Sequence, residues 1–353
     1  MKKYLLIGDG KSPHMVKWAK ELSKYFELYL VSSRNIAPEL AAVILEENCH
    51  EFNLSPEEKG GNLGYIRLIR PLRKIISKIG PDYVNAHYIT SHGVLAALAE
   101  RPSKRKYKLI LTAWGTDILV TPFKNPFYRI LTRFAMNRAD LVTTDSKVVA
   151  EIVRKLSSTQ TTTFPFGLDK IPDLKPGDKD PNLFFSNRTL NTNANIDKVL
   201  TFFATVYREN KDAKLIIAND GPEKAFLIDW RNDLGLSEAV EFIGFVSGQE
   251  QEEIYKKALF YFSVLTSDAL SVSLLEAMAH GCIPIVSDLP DNRDWVQDKK
   301  NGIILNADTV YETFSVLTED HTSIFEHNRK LIAEKAHFPS AIAAYCDSLD
   351  KIE

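Results

Sequence analysis

Short apolar runs recur along this chain, and between them the hydrophobic positions fall at helical spacing. In the first half the runs are Tyr4–Ile7, Leu28–Val31, Tyr83–Ala86, Leu109–Thr112 and Leu141–Thr144. In the second half they are Leu183–Phe185, Lys214–Ala218, Val240–Ile243, Phe260–Val264 and Ile283–Val286. Met15, Trp18, Ala19, Leu22 and Phe26 share one face of an intervening helix. Such alternation predicts parallel sheets covered by helices on both faces. It breaks at a Pro/Gly/Asp-rich stretch, Pro165-Phe166-Gly167-Leu168-Asp169 through Pro172, Pro176-Gly177 and Pro181, and then restarts. That stretch reads as a linker. The pattern therefore predicts two doubly wound α/β domains in tandem, facing each other across a cleft.

Length agrees, since 353 residues suffice for two domains at roughly 100–200 residues each. With 44% hydrophobic and 25% charged residues, the chain is no disordered, collagen-like or disulfide-stapled protein. Cys49, Cys282 and Cys346 are far apart and form no CxxC, which fits reduced thiols in cytosol. The apolar run after Met1 is too short for the core of a signal peptide. The charge-free stretch Tyr83–Ala99 holds too many polar residues to span a bilayer, which needs about 20 mostly apolar ones. The expectation is a cytoplasmic protein, or a peripheral one at the inner face of the plasma membrane.

Net charge first looks uninformative: −2 overall, which argues against a dedicated nucleic-acid binder. Dividing it at the linker changes that picture. Residues 1–168 carry 25 Lys and Arg against 15 Asp and Glu, or +10; residues 169–353 carry 19 against 31, or −12. Within Tyr65–Gly80, Arg67, Arg70, Lys74 and Lys78 share one helical face, and Ile69, Leu72, Ile75, Ile76 and Ile79 another. Arg101, Lys104, Arg105, Lys106 and Lys108 form a second cluster. A basic domain of this kind points to an anionic partner surface such as a membrane. The plainer reading is a packing helix with solvated cations.

Doubly wound domains bind ligands at the carboxyl ends of their strands, so the loops there carry most weight. Gly8-Asp9-Gly10-Lys11-Ser12-Pro13-His14 follows the first strand, but Pro13 stands where a dinucleotide fingerprint needs its third glycine. What remains is a tight turn that brings backbone and His14 to the mouth of the cleft, with Ser12 as a candidate helix cap. The most informative stretch is Ser267-Asp268-Ala269-Leu270-Ser271-Val272-Ser273-Leu274-Leu275-Glu276. A polar loop there runs into a helix, and free amides at Ser271, Val272 and Ser273 would form an anion site. Glu276, one turn in, would sit beside that anion at an electrostatic cost unless it binds hydroxyls, as in ribose recognition. Arg188, just past a strand, is a candidate for bidentate phosphate contact. Asp178-Lys179-Asp180 looks like a metal-binding DxD but lies in the linker, so it reads as structural.

Taken in order, these segments resemble the retaining, GT-B-fold nucleotide-sugar glycosyltransferases of glycosyltransferase family 4. The likeness runs from SPHMVKWAKEL, VNAHYITSHGVLAALA, LTAWGTDIL, RADLVTTDS and FPFGLD to SNRTLNTNANIDKVLTFF, KLIIANDGPEKAFL, VEFIGFV, SDALSVSLLEAMAHGCIPIVSDLPDNRDWV and NGIIL. It implies a GT-B architecture. Residues 1–168 would form an acceptor-binding Rossmann-like domain and 169–337 a donor-binding one, with 338–353 a helix crossing back to the first. The family's E-x7-E element falls on Asp268 and Glu276, so Glu276 would hold the ribose and Asp268 the donor sugar. Ser271, Val272 and Ser273 would receive the distal phosphate, and Arg188 would neutralise the leaving diphosphate. Phe245 and Val246 would flank the base, Gly10 would complete the donor site, and His14, His87, Trp114 and Asp117 would surround the acceptor. Three departures stand out: Asp268 replaces the first Glu, Asn193-Ala194-Asn195 occupies the place of a common Lys, and Trp114 that of a common His.

The reaction implied is transfer of a hexose-type sugar from a nucleoside diphosphate donor, UDP in preference to GDP, to a hydroxyl of a glycan or lipid-linked acceptor. Retention would follow from front-side attack with the departing phosphate as base, and neither metal nor other cofactor is expected. A role in cell-surface polysaccharide or glycolipid assembly would follow. Two rival readings are a nucleotide-sugar epimerase of the same fold and a catalytically weakened nucleotide-sugar-binding protein.

Overall fold

The computed structural model describes residues 1–52, 66–100, 106–174, 179–268, 270–306, 319 and 321–352. Tyr65, Arg101, Lys104, Arg105, Pro176, Gly177, Asp178 and Ala269 lie outside them. The chain divides into two compact units, Met1–Pro165 with Pro339–Glu353, and Phe166–Phe338.

In the first unit, strands β1 (Lys3–Gly8), β2 (Glu27–Ser32), β3 (Cys49–Glu51), β4 (Tyr83–His87), β5 (Lys108–Thr112), β6 (Leu141–Thr144) and β7 (Thr161–Thr163) form one sheet. Their order is β3-β2-β1-β4-β5-β6-β7 and every pairing is parallel. All five residues of β4 are buried, as expected for a strand covered on both faces. The last helix, Phe338–Leu349, buries Ile342, Tyr345 and Leu349. It packs on the start of the chain: Tyr4 and Tyr345 share a hydroxyl hydrogen bond at 2.7 Å, and Asp350 accepts from Tyr83 and pairs with Lys2.

The second unit repeats the plan. Strands β8 (Asp180–Ser186), β9 (Lys214–Ala218), β10 (Val240–Gly244), β11 (Ala258–Ser263), β12 (Ile283–Val286) and β13 (Ile303–Ile304) order as β10-β9-β8-β11-β12-β13, again all parallel. Successive strand residues serve opposite faces. Phe184, Phe260 and Phe262 thus join one core, and Phe185 and Tyr261 the other. Phe166–Leu168 belong to this unit because Leu168 N donates to Ala336 O at 2.6 Å and Phe338 N to Leu168 O at 2.9 Å.

Both sheets reverse their winding beside their first strand, between β1 and β4 and between β8 and β11. Such switch points leave a crevice at the carboxyl ends of the strands. Three details differ from the sequence reading. Strands β3, β7 and β13 are additional; each is short, and the first two lack an apolar run. The basic helix is described from Ile69 to Ile79. Ser12 occupies the N-cap position of the helix Pro13–Leu22 without a side-chain capping bond. Among the described residues no helix is long and apolar enough to cross a membrane.

Candidate functional site

In the second unit the switch point brings the loop after β8 against the loop after β11. Arg188 follows β8 by two residues, and its side chain is largely covered. Its Nη1 donates to Ser271 Oγ at 2.9 Å and Ser273 Oγ at 2.6 Å, while Nη2 donates to Asp268 Oδ2 at 3.0 Å. Three residues of the Asp268–Ser273 segment therefore meet at one guanidinium from the loop after β8. Ser271 is also the N-cap of the helix Val272–Ala279, its Oγ accepting from Leu274 N at 3.3 Å. The first amides of that helix and Arg188 place positive potential in the same spot. A cavity of about 320 Å³ opens beside it, lined by Arg188, Thr189, Asn191, Asn193, Asn219 and Leu265 among others.

Glu276 sits one turn into that helix and is held from a second direction. Gln251 Nε2 donates to Glu276 Oε2 at 3.2 Å, and Tyr255 Oη lies 3.5 Å from the same oxygen. Asn187 ties this group to Arg188's own loop: its Nδ2 donates to Gln251 Oε1 at 2.8 Å and Tyr255 Oη at 2.9 Å, and its Oδ1 accepts from Tyr261 at 2.6 Å. Burial pushes the Tyr255 phenol well above its ordinary pKa, so it remains a neutral hydrogen-bonding group. Phe245 is exposed at the end of β10, and Val246 packs partly against the core.

Asn193 holds the Asp268 loop in place. Its Nδ2 donates to Ser267 O at 3.0 Å, its Oδ1 accepts from Ser267 N at 3.1 Å, and its own carbonyl accepts from Thr266 N at 2.9 Å. Asn195 adds bonds from Nδ2 to Val264 O and Thr266 Oγ1. Neither asparagine stood out as a functional candidate, nor did Asn187, Gln251 or Tyr255. The N-x-N spacing just after a strand was the available signal. Lys179, inside the DxD-like triplet, turns inward and donates to Tyr255 O and Ala258 O. Among the described residues no cluster of three His, Cys, Asp or Glu side chains is placed to hold a metal ion.

The first unit gathers its candidates around Trp114. His14 stacks on Trp114 at 4.4 Å between ring centroids, and His87 lies 5.6 Å from the same ring. His87 and Asp117 are buried and bonded to protein groups, so they shape this cluster from behind. His87 Nε2 donates to Asn85 Oδ1 at 3.0 Å, and His92 Nδ1 donates to the His87 carbonyl at 2.9 Å. Burial pulls the pKa of His87 down to about 3 and those of His14 and His92 to about 4, which keeps all three neutral. Asp117 joins two loops: Oδ2 accepts from Ile89 N at 2.7 Å and Oδ1 from Trp114 N at 2.9 Å. Its burial raises the carboxyl to about 6 against those two amide bonds. The Ile89 bond secures a turn opened by Tyr88 at φ 65°, a left-handed conformation that is costly for an aromatic residue. The Gly10 amide is already used, donating to Ser32 Oγ at 2.8 Å.

Comparison with known proteins adds the following. Residues 3–146 match the family model described as glycosyl transferase 4-like, and residues 169–318 match glycosyl transferases group 1. The alpha-monoglucosyldiacylglycerol synthase of Streptococcus pneumoniae is 29% identical over 147 residues, covering 42% of this chain and 33% of that protein. The N-acetyl-alpha-D-glucosaminyl L-malate synthase of Bacillus anthracis is 25% identical over 229 residues, 61% of this chain and 59% of that one. The matched stretches thus span a third to three fifths of these relatives' own length. Anabaena HepE, solved with UDP, superimposes with a TM-score of 0.79 at 14% identity, covering 99% of this chain and 100% of that one. At that identity the likeness shows the fold, which is GT-B.

Proposed function

Because this chain belongs to the GT-B glycosyltransferases of the GT4 type, we propose that it transfers a hexose-type sugar from a UDP-sugar to a hydroxyl of a glycan or lipid-linked acceptor, with retention and release of UDP. One observation carries the reading: Arg188 is held by Asp268, Ser271 and Ser273 at the N-terminus of the Val272–Ala279 helix. As the bond from sugar to diphosphate breaks, negative charge grows on the leaving phosphate. A guanidinium already fixed there, together with the amides of Val272 and Ser273, stabilises that charge with little reorganisation. These groups supply positive charge from the chain itself, so turnover needs no divalent cation and continues in chelator.

Glu276, oriented by Gln251 and Tyr255, accepts the ribose hydroxyls, and Asp268 faces the hydroxyls of the sugar. Phe245 and Val246 flank the base. A departing phosphate oxygen takes the proton of the acceptor hydroxyl, which attacks the face the diphosphate leaves. His14 and Trp114 border the acceptor, with His87 and Asp117 supporting them. The choice of UDP leans on the HepE complex and the choice of a lipid-linked or glycan acceptor on the diacylglycerol relative. The work would be done on the cytoplasmic side, at the inner face of the plasma membrane.

The test is calorimetry with UDP and GDP, followed by an assay of UDP-sugar turnover in the wild type and Arg188→Ala. Saturable UDP binding and a turnover loss of about 100-fold or more are expected. Wild-type turnover in Arg188→Ala, or no affinity for either nucleotide, would refute the assignment.

A further inference from the structure

Two short helices of the first unit, Thr121–Lys124 and Pro126–Met136, turn apolar side chains outward. Phe123 is 56% exposed, Phe127 63% and Ile130 66%, and Val120 beside them is exposed too. The opposite side of the same segment is satisfied: Pro122, Thr132, Ala135 and Met136 are buried. Asn125 caps the second helix, its Oδ1 accepting from Tyr128 N at 3.0 Å, which fixes Phe127 and Ile130 on the outer side. Helices of a soluble domain normally keep that face polar, so a cluster of large exposed apolar groups marks an interaction surface.

Charge says what covers it. Lys124, Arg129 and Arg133 are exposed among these apolar groups, and no Asp or Glu occurs between Asp117 and Asp140. An exposed apolar segment whose charged residues are all cations has the composition of one lying in the interface of an anionic bilayer. A second copy of the chain fits poorly, because a two-fold contact would bring the same cations face to face. The Ile69–Ile79 helix plays a different part. Its Leu72, Ile76 and Ile79 are buried in its own domain, so it offers solvated Arg70, Lys74 and Lys78 but no free apolar face.

We infer that the Val120–Arg133 segment docks this protein on anionic lipid, inserting Phe123, Phe127 and Ile130 while Lys124, Arg129 and Arg133 meet the headgroups. The inference rests on the proposed function only for its purpose, delivery of the enzyme to a lipid-linked acceptor. Binding is measured without donor or acceptor, so it can fail while sugar transfer stands.

The experiment is co-sedimentation of the full chain with vesicles of phosphatidylcholine mixed with phosphatidylglycerol, and with phosphatidylcholine alone. Binding should appear only with the anionic lipid and fall as salt is raised. The triple variant F123S/F127S/I130S should partition at least about tenfold more weakly, since each side chain loses its transfer from water. K124E/R129E/R133E should lose the dependence on anionic lipid. Unchanged melting temperature and UDP affinity in both variants would show that they fold. Equal partitioning of the apolar variant and the wild type would overturn the inference, as would equal binding to neutral vesicles. A concentration-dependent dimer in sedimentation velocity, dissolved by the apolar variant, would overturn it in favour of self-association.

Discussion

Arg188 Nη2 donates to Asp268 Oδ2 at 3.0 Å, so the cation proposed to receive the diphosphate already carries an acidic partner. The pair therefore has opposed effects on an anion arriving at the same place. Removing Arg188 takes away a charge-assisted contact, whereas neutralising Asp268 takes away a repulsion and frees the guanidinium. Arg188→Ala should weaken UDP binding by about tenfold or more, while Asp268→Asn should leave it equal or tighter. Both should lower sugar transfer, Asp268→Asn because the donor sugar loses its acceptor. Calorimetry with UDP and a turnover assay separate the two effects. Parallel weakening of UDP binding in both variants would mean that Asp268 serves the nucleotide and not the sugar.

Asn193 belongs to the same loop as Arg188 and sets where Asp268 lies. Its amide exchanges two hydrogen bonds with the backbone of Ser267, the neighbour of Asp268. Asn193→Ala should cost about 1 kcal/mol of stability in a urea melt, because these bonds are solvent-exposed. The larger effect should fall on kcat, with UDP affinity nearly kept. Asn193→Asp retains the acceptor for Ser267 N but loses the donation to Ser267 O, so its kcat should lie between those of the wild type and Asn193→Ala. A loss confined to stability would reduce Asn193 to a loop tie.

The contrast between Arg188 and Asn193 explains what the sequence made legible. Buried strands such as Tyr83–His87 and Ala258–Ser263 announce themselves as apolar runs, because burial on both faces demands it. The short edge strand Thr161–Thr163 is made by pairing to β6 and has no such run. Arg188 could be found because a cation just past a strand in a doubly wound domain has few structural uses. Its partners Asp268, Ser271 and Ser273 could be grouped as one loop, but nothing in their spacing says that they converge on one guanidinium. Gln251 and Tyr255 reach Glu276, and Asn187 reaches those two, only because β8 and the Gly248–Lys257 helix come together in space. His14 and Trp114 were singled out from separate segments, and their stacking is a property of the folded sheet.

Buried histidines make the stability of the first unit depend on pH. The pKa values of His87 and His92 fall to about 3 and about 4 in the folded chain, from 6.5. Below pH 6.5 the unfolded chain takes up protons at these sites and the folded chain does not, so their contribution is complete above 6.5 and is lost as pH falls. Asp117 acts in the other direction: raised from 3.8 to about 6, it holds a proton in the folded state across that window and gains stability as pH falls. His14, also lowered to about 4, acts with these two histidines against one carboxyl, and each group is worth roughly 1.4 kcal/mol per pH unit where only one state is protonated. His92→Gln should therefore cost less at pH 5 than at pH 7, by about 2 kcal/mol, in urea melts at the two pH values. The same cost at both would show that His92 is not held neutral by the fold.

Gly221 lies where two loops that border the Arg188 cavity pack backbone to backbone. A Cβ there would lie 2.3 Å from the carbonyl oxygen of Leu190, a fully buried residue whose N–H donates to Asp220 O and whose carbonyl accepts from Glu223 N. No side-chain rotation relieves a clash with backbone, so Gly221→Ala must displace the loop that carries Thr189 and Arg188. The expected cost is about 1–3 kcal/mol in stability, typical of overpacking. The same shift moves Arg188 off Ser271 and Ser273, so UDP affinity should fall with stability. Gly248→Ala supplies the control: nothing lies within 4 Å of a Cβ there, and it opens the Gly248–Lys257 helix. That substitution should raise stability by about 0.4–1 kcal/mol through the unfolded chain and leave UDP affinity unchanged. A Gly221→Ala protein of wild-type stability and UDP affinity would show that the two loops can part without moving Arg188.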